Sequence, residues 1–495
     1  MVTKTLEMLT LDRLVVVIAF VSLFAMAVRT PTDTDMWWHL RTGQYIVETR
    51  TLPEADAFSH TKEGEPWVNH SWLAQIALYG AYAIGSSPML AILVAMLVVA
   101  AFVFVWKQME GGPYLRAFVL VLAAVTSGVV WAARPQMFTF VLTAVVGYLV
   151  YLYKWRQVDR LWLLPLIFIL WANVHAGFAV GFILLAGAIA GEVVNHALQF
   201  EGPEVLSWQR WRKLVMFTAF SYVLLVINPH TTEMYTYALR TVNIGVLRDF
   251  IQEWLSPDFH QLFIQPFIWL LIAMLAAVGW SGRRLDGGDF ALVVGFTYSA
   301  LLAARNIAPF ALACAPVLAR HARPALERWR ERMGWARTRQ AASRQGLVWL
   351  NVAILAVVIA LAALKIIASV LPTTQQKAER ERLPVGAVDW IESNRPAGLM
   401  FNSYNWGGYL IWRLWPDYKV YVDGRTDLYD DAFLRDYLKA ADAQTDFEAI
   451  LERDDVNWVI VEAGSALGAA LSREANWTND YRDEMAVIYT RKELE

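Results

Sequence analysis

Long apolar runs separated by short polar breaks dominate the chain as far as residue 371. They fall at 13–28, 88–106, 114–131, 136–153, 160–173, 178–196, 214–228, 264–281, 289–304, 307–319 and 347–371. A helix needs ~20 apolar residues to cross a bilayer upright, and several of these runs are shorter, so their edges are set only to within a few residues. The pattern predicts about eleven transmembrane helices. One polar break is unlike the others. Residues 31–72, PTDTDMWWHLRTGQYIVETRTLPEADAFSHTKEGEPWVNHSW, are too polar for lipid and too aromatic for an idle linker. Leu40, Gly43, Tyr45 and Ile46 fall on one face of a short interfacial helix that Pro53 ends, and a second amphipathic piece runs from Trp72 to about Gly85. The first outer loop thus reads as two juxtamembrane helices hung on an acidic, aromatic entry.

Beyond residue 372 the periodicity changes. LPVGAVDWIESN predicts a helix, GLMFN, YKVYVDG, NWVIVEA and MAVIYTR predict strands, and helical stretches are expected near 429–453 and 464–474. Strands alternating with helices imply an α/β layer domain at 373–495, separate from a transmembrane domain at 1–372. YNWGGYLIW and YVDGRTDLY predict Gly-rich turns at its membrane-facing edge.

Composition agrees with the pattern. The chain is 57% hydrophobic with a mean hydropathy of +0.37, above the ~45–50% apolar content of soluble domains, which implies a polytopic membrane protein. The single cysteine, Cys314, excludes an intrachain disulfide and a thiolate metal cluster. Net charge is only −2, but residues 373–495 carry 23 acidic against 14 basic side chains. The basic loops are Lys154, Arg156 and Arg160, then Arg210, Arg212 and Lys213, then Arg283 and Arg284. Residues 320–344 follow, with eight Arg against two Glu. Eleven spans and a cytoplasmic N-terminus put all four on the cytoplasmic side of a plasma or inner membrane, and the acidic C-terminal domain outside. Lys4 and Arg13 flank the first apolar run and Ala25 and Ala27 make a weak cleavage site, so a signal peptide is the alternative there. A retained anchor suits the loop that follows.

The same topology gathers Asp33, Asp35, His39, Arg134, His175, His230, Glu253 and Arg305 on the outer face. Ionisable groups at a membrane edge are costly and mark functional sites by default, so these residues imply a cavity that opens outward. The segment 229–263 is expected over it as a surface or re-entrant loop. A lipid-phosphate donor suits such a cavity: Arg134 or Arg305 holds the phosphate, and a carboxylate deprotonates or orients an acceptor, directly or through a metal. Trp37 and Trp38 stack on a sugar or anchor the loop. Plainer readings stand beside these. Trp37 and Trp38 suit an aromatic belt, Asp33 suits a helix cap, and His175 and His230 suit buried, hydrogen-bonded histidines. Glu253 has Arg248 and Arg305 as candidate partners, and Asp423 with Arg425 suits a salt-bridged turn. There is no Walker A sequence, no HExxH, no GxSxG after a strand and no repeated pattern of broken helices.

TDTDMWWHLRTGQYI resembles the first outer loop of the GT-C glycosyltransferases, which include oligosaccharyltransferase catalytic subunits, protein O-mannosyltransferases and lipid A aminoarabinose transferases. ARPQMF, WANVHAGF, EWLSPDF, ARNIAPF and YNWGGYLIW…VYVDGRTDLY resemble segments of a bacterial and archaeal group of GT-C-like membrane proteins. The resemblance implies a catalytic Asp after the first span, matched by Asp35 with Asp33 as a rival. It further implies an acidic outer-loop residue, matched by Glu253, and a phosphate-contacting arginine, matched by Arg305. No WWD-type acceptor motif and no second DxD or DxE motif are present. The expected protein is a GT-C-like polytopic α-helical enzyme that moves a sugar from a polyprenyl-phosphate donor to an extracytoplasmic acceptor. The alternatives are a non-catalytic scaffold binding lipid-linked glycans or partner proteins, or a lipid or polysaccharide transporter. Candidate substrate contacts are Trp37, Trp38, His39, Arg41, Arg134, His175, His230, Arg305, Asp423 and Arg425. If a divalent cation such as Mg or Mn is used, Asp35, His39, His175 and Glu253 are its candidate ligands.

Overall fold

The structure is a computed structural model that describes residues 10–334 and 345–492, so Lys4 and residues 335–344 of the last basic loop lie outside the described residues. A helix occupies each of the eleven apolar runs. Among the described residues five helices are long and apolar enough to cross a membrane: Trp72–Gln108, Pro113–Val130, Gln136–Trp155, Phe178–Ala197 and Val348–Val370. Leu163–Val174, Gln265–Ser281 and Gly287–Leu302 are apolar but shorter. Leu11–Ala27, Trp208–Val223 and Ile307–Arg332 fill the remaining runs.

Burial follows the helical period. On Trp72–Gln108 the inward positions are Leu90, Ala91, Val94, Ala95, Val98, Ala101, Phe102 and Val105. The small residues among them let neighbouring helices approach closely, the usual device where lipid removes the hydrophobic drive to associate. One such close approach joins Phe178–Ala197 to Gly287–Leu302. A Cβ on Gly191 would collide with the backbone of Gly287 and Gly288.

The first loop forms as its pattern predicts. Met36–Thr49 is a helix stopped at Arg50, whose φ of 57° is left-handed, three residues before Pro53. The second amphipathic piece begins at Trp72 and breaks at Gly85 and Ser86, where the backbone leaves helical geometry before continuing as a span.

After Pro372–Arg380 and Val385–Asn394 come four strands, β1 (Leu399–Asn402), β2 (Val456–Glu462), β3 (Trp477–Arg482) and β4 (Ala486–Arg491). They form one sheet of order β1-β2-β4-β3, parallel between β1 and β2 and antiparallel elsewhere. Helices Gly407–Leu414, Asp431–Ala441, Phe447–Arg453 and Ala466–Leu471 accompany it.

Three expectations change here. YKVYVDG is not a strand of the sheet. Val420 instead pairs with the first loop, accepting from His60 N–H and donating to the Phe58 carbonyl, both at 3.0 Å. YNWGGYLIW is no Gly-rich turn but a short 3-10 turn running into helix Gly407–Leu414. Gly407 is there because a Cβ would strike the Val422 carbonyl. Strand β3 went unpredicted because its residues are mostly polar and largely exposed. The C-terminal part of the chain therefore packs directly on the first outer loop. Trp415 Nε1 donates to the Ala57 carbonyl at 2.9 Å, and Thr61 Oγ1 to the Tyr421 carbonyl at 2.6 Å.

Candidate functional site

Asp35 stands at the N-terminus of helix Met36–Thr49, where unpaired backbone N–H groups favour negative charge. Its own N–H donates to Asp33 Oδ1 at 3.0 Å, so Asp33 shapes the turn into the helix. Trp38, one turn on, donates its indole N–H to Asp35 Oδ1 at 3.3 Å. Arg134 comes from the turn before Gln136–Trp155 and lies among three carboxylates: Asp35 at 3.1 Å, Glu253 at 3.4 Å and Asp33 at 3.5 Å. Arg305, from the 3-10 turn between Gly287–Leu302 and Ile307–Arg332, pairs with Glu253 at 3.5 Å and stacks on Trp254 with 4.3 Å to the ring centre. Residues more than two hundred positions apart thus meet in one cluster, and its side chains keep 20% to 31% of their surface exposed.

Charge decides how this cluster behaves. Burial pushes the Asp35 carboxyl up to about 7, with the Asp33 and Glu253 charges adding to the rise and Arg134 and the Trp38 N–H opposing it. Burial works against Arg134 as a cation, yet Asp33, Glu253 and Asp35 together hold it well above its ordinary range. Burial raises Glu253 too, but Arg134 and Arg305 outweigh that and leave it below the usual carboxylate value. Burial and charge thus hold Asp35 and Glu253 on opposite sides of the usual carboxylate range.

The histidines flank this cluster as neutral groups. Burial, then Arg134, His70 and His175, hold His39 well below its ordinary value. Burial, then His70, Arg305 and Arg134, do the same for His175. His39 Nδ1 accepts from Gln75 at 3.2 Å. His175 Nδ1 accepts from Gly177 N–H at 3.0 Å and meets Thr139 Oγ1 at 2.9 Å. His230 makes no ion pair with the carboxylates among the described residues.

Several expected contacts lie elsewhere. Trp37 is buried against Tyr82, Tyr409 and Trp412, and Trp38 against Trp67, so neither offers a ring face to a sugar and neither is a membrane-belt residue. Arg41 turns to the C-terminal part, bonding the Trp412 carbonyl and stacking on Trp412 and Trp415. Asp423 and Arg425 are wholly buried and paired with each other and with Asp56, which leaves no atom for a substrate. Glu253 pairs with Arg134 as well as Arg305, a partner absent from its expected pair.

Sequence reasoning passed over Tyr404, whose hydroxyl meets Thr426 Oγ1 at 3.1 Å. Burial and the neighbouring Asp35 charge keep that hydroxyl protonated. It also passed over Tyr237, which donates to Asp427 at 2.8 Å and packs on His70. YNWGGY carried Tyr404 in plain view, but nothing in spacing links residue 404 to residue 35.

The residues proposed for a metal do not fit one. Arg134 fills the space between the three carboxylates, and the Nδ1 atoms of His39 and His175 are spent on protein donors. Among the described residues no group of three or more His, Cys, Asp or Glu converges on a metal-sized point.

No protein-family model matches the chain, and no characterised protein sequence matches it. Solved structures do. The Archaeoglobus fulgidus oligosaccharyltransferase in its apo form is similar over 91% of this chain and 69% of its own, with a TM-score of 0.56 at 12% identity. AglB of the same organism, in complex with an inhibitory peptide and a dolichol-phosphate, is similar over 97% of this chain and 74% of its own, with a TM-score of 0.57 at 12% identity. Apo ArnT from Cupriavidus metallidurans is similar over 96% of each chain, with a TM-score of 0.51 at 14% identity. The chain shares the fold of these oligosaccharyltransferase and ArnT structures.

Proposed function

We propose that this protein is a polyprenyl-phosphate-dependent glycosyltransferase. It transfers a sugar from a lipid-linked donor to an acceptor outside the membrane, with its N-terminus in the cytoplasm and residues 373–495 on the outer side. The observation that carries the reading is the Asp35 carboxylate, about one-fifth exposed, pushed up to about 7 by burial and paired with Arg134, which also holds the Glu253 that Arg305 meets, in a chain with a GT-C fold. That AglB has been solved with a dolichol-phosphate supports a lipid-linked donor.

The chemistry divides among these residues. Asp35 accepts the proton of the acceptor nucleophile as that atom bonds to the sugar's anomeric carbon. The bond from that carbon to the phosphate oxygen breaks, and its electron pair stays with the phosphate on the carrier. Arg134 is already shared among three carboxylates, whereas Arg305 pairs only with Glu253 in the cluster. Arg305 is therefore the better cation for the departing phosphate, as a planar guanidinium suited to it. Arg134 keeps Asp35 and Glu253 apart and oriented.

Asp35→Asn keeps the side chain's size and removes its charge. Sugar transfer in membranes carrying this variant falls by ~10²-fold or more, as loss of a general base does, with thermal stability near wild type. Asp33→Asn falls less. Transfer at the wild-type rate by both variants and by the double variant would remove the first loop from catalysis. Reporter fusions at residue 430 read outside the cell. A cytoplasmic reading there overturns the outward-facing site.

A further inference from the structure

The wall of the site opposite Arg134 is made by the C-terminal part of the chain, at Gly424. A Cβ placed there would collide with Asp35 Oδ1 and lie 2.8 Å from Asp35 Cγ and 3.2 Å from Trp38 Nε1. Gly424 does not have the left-handed φ that favours glycine, so its own backbone does not call for one. The Asp35 carboxylate does.

The turn that presents Gly424 is held from both sides by buried charge. Arg425 donates from Nε to Asp423 Oδ1 at 2.8 Å, from Nη2 to Asp423 Oδ2 at 2.6 Å, and from Nη1 to Asp56 Oδ1 at 2.5 Å. Tyr429 adds a hydroxyl to Asp423 Oδ2 at 2.9 Å. Asp56 belongs to the first loop, where it also caps Phe58 N–H and Ser59 N–H at 3.0 Å each. The guanidinium lies over Phe58 and Trp67, and Trp67 packs on the Trp38 that donates to Asp35. On the other flank Asn402 bonds the Tyr421 N–H and the Val422 carbonyl, both at 2.8 Å. A charge buried this completely is kept in place by its partners, because breaking any one pair strands the others.

We propose that the Asp423–Gly424–Arg425 turn is a positioning element for Asp35: it closes off one rotation of the carboxylate and leaves it facing Arg134 and the open side of the site. Asp423 and Arg425 then serve the reaction through Gly424 and touch no substrate. The C-terminal part is half of the catalytic geometry as well as a cover for it. This inference rests on the reading of Asp35 as the base, and its test is built to separate the two.

The test is Gly424→Ala in the full-length protein, alone and combined with Asp35→Ala. Alone, the new methyl group displaces the Asp35 carboxylate. Turnover falls about 10²-fold, the size a misplacement of ~1 Å carries, while KM for the donor is unchanged. Thermal unfolding in detergent shows a lowered midpoint. In the Asp35→Ala background the collision partner is gone, so Gly424→Ala leaves the midpoint where Asp35→Ala alone puts it. That coupling is read without substrate, and it stands even if sugar transfer proves to be the wrong reaction. An equal loss of midpoint in both backgrounds, or wild-type turnover in Gly424→Ala, overturns the positioning role.

Discussion

Among the described residues, carboxylates gather round cations at opposite ends of helix Gln136–Trp155, in two clusters each centred on three carboxylates and two cations. That helix is 20 residues, or ~30 Å, long. At the Arg134 end, Asp33, Asp35 and Glu253 meet Arg134 and Arg305 at 3.1 to 3.5 Å, with side chains 20% to 31% exposed. At the Lys154 end, Glu192, Asp286 and Asp289 meet Lys154 and Arg320, with side chains only 1% to 9% exposed, and at the rim Arg320 also reaches the 26% exposed Glu110 at 3.8 Å. Further donors close this second cluster. Asn195 donates to Asp286 at 2.9 Å and accepts from Gly287 N–H at 2.7 Å, and Leu206 N–H reaches Glu192 at 3.0 Å. Similar groups therefore do not make similar function. The closed cluster is spent on holding helices Phe178–Ala197, Gly287–Leu302 and Ile307–Arg332 together. The open one keeps carboxylate edges and a guanidinium available to an incoming group.

The largest difference is expected in stability. Lys154→Met leaves Glu192 and Asp286 without their cation, and removing one partner of a buried pair costs about 3–5 kcal/mol. Its unfolding midpoint in detergent drops steeply and its expression falls. Arg134→Met, at the exposed cluster, loses transfer activity with a much smaller drop in midpoint. If the two variants are equally unstable, the division into a closed and an open cluster fails.

Next comes donor binding. Arg305→Ala weakens binding of a lipid phosphate in nanodiscs by ~1.5–3 kcal/mol, the usual worth of a hydrogen bond to a charged group. Arg283→Ala is the control, since Arg283 lies at the Lys154 end, 53% exposed and 3.8 Å from Glu110. Equal affinity in the two variants would take Arg305 out of the site.

The pH dependence is a tenfold effect per unit. Asp35 works as a base only when ionised, so turnover rises about tenfold per pH unit up to about 7 and is level above it. Glu253→Gln removes one of the charges that raise Asp35 and moves that limb to lower pH. Stability runs the other way. The folded value lies above the ordinary 3.8, so the group's contribution is complete below 3.8 and is lost as pH rises to about 7. A turnover profile with no limb near 7, under conditions where chemistry limits the rate, would assign the proton to another group.

The contrast between the clusters also shows what the sequence made legible. The eleven apolar runs, the helix Met36–Thr49 and the break at Gly85 follow from periodicity and punctuation, which are local. The open cluster was legible residue by residue because charges at apolar edges stand out: Asp33, Asp35, Arg134, Glu253 and Arg305 were each singled out. The closed cluster was passed over. Lys154 and Arg320 were counted as loop charges, although they are 5% exposed and paired inside the bundle. Glu192, set within the run FAVGFILLAGAIAGEVVNHA, was the signal that a partner had to exist. Asp423 and Arg425 were read both as a salt-bridged turn, which they form, and, with Arg41, as substrate contacts, for the opposite reason. Charge in a Gly-rich turn looks available until tertiary structure supplies Asp56 from 369 positions away. No periodicity encodes that pairing.

The smallest expected effect is a null one with an informative partner. Three carboxylates in one place invite a divalent cation, and at this site a guanidinium already takes that position, within 3.1 to 3.5 Å of each. A metal entering there has to displace Arg134 and meet its charge repulsion, so chelation with EDTA leaves wild-type transfer unchanged. The partner experiment inverts the comparison. Arg134→Met strips the shared cation and leaves Asp33, Asp35 and Glu253 facing one another, a set of hard oxygen donors of the kind that suits Mg²⁺ or Mn²⁺. Mn²⁺ titrated into this variant gives a bound signal by electron paramagnetic resonance that the wild-type protein lacks, and Asp35→Asn in the same background weakens it. The closed cluster supplies the control. Lys154→Met frees carboxylates of its own, but at 1% to 9% exposure they are shut off from a hydrated ion. Loss of wild-type transfer in EDTA, restored by Mn²⁺, would show that the cation at this site is a metal and that Arg134 yields to it.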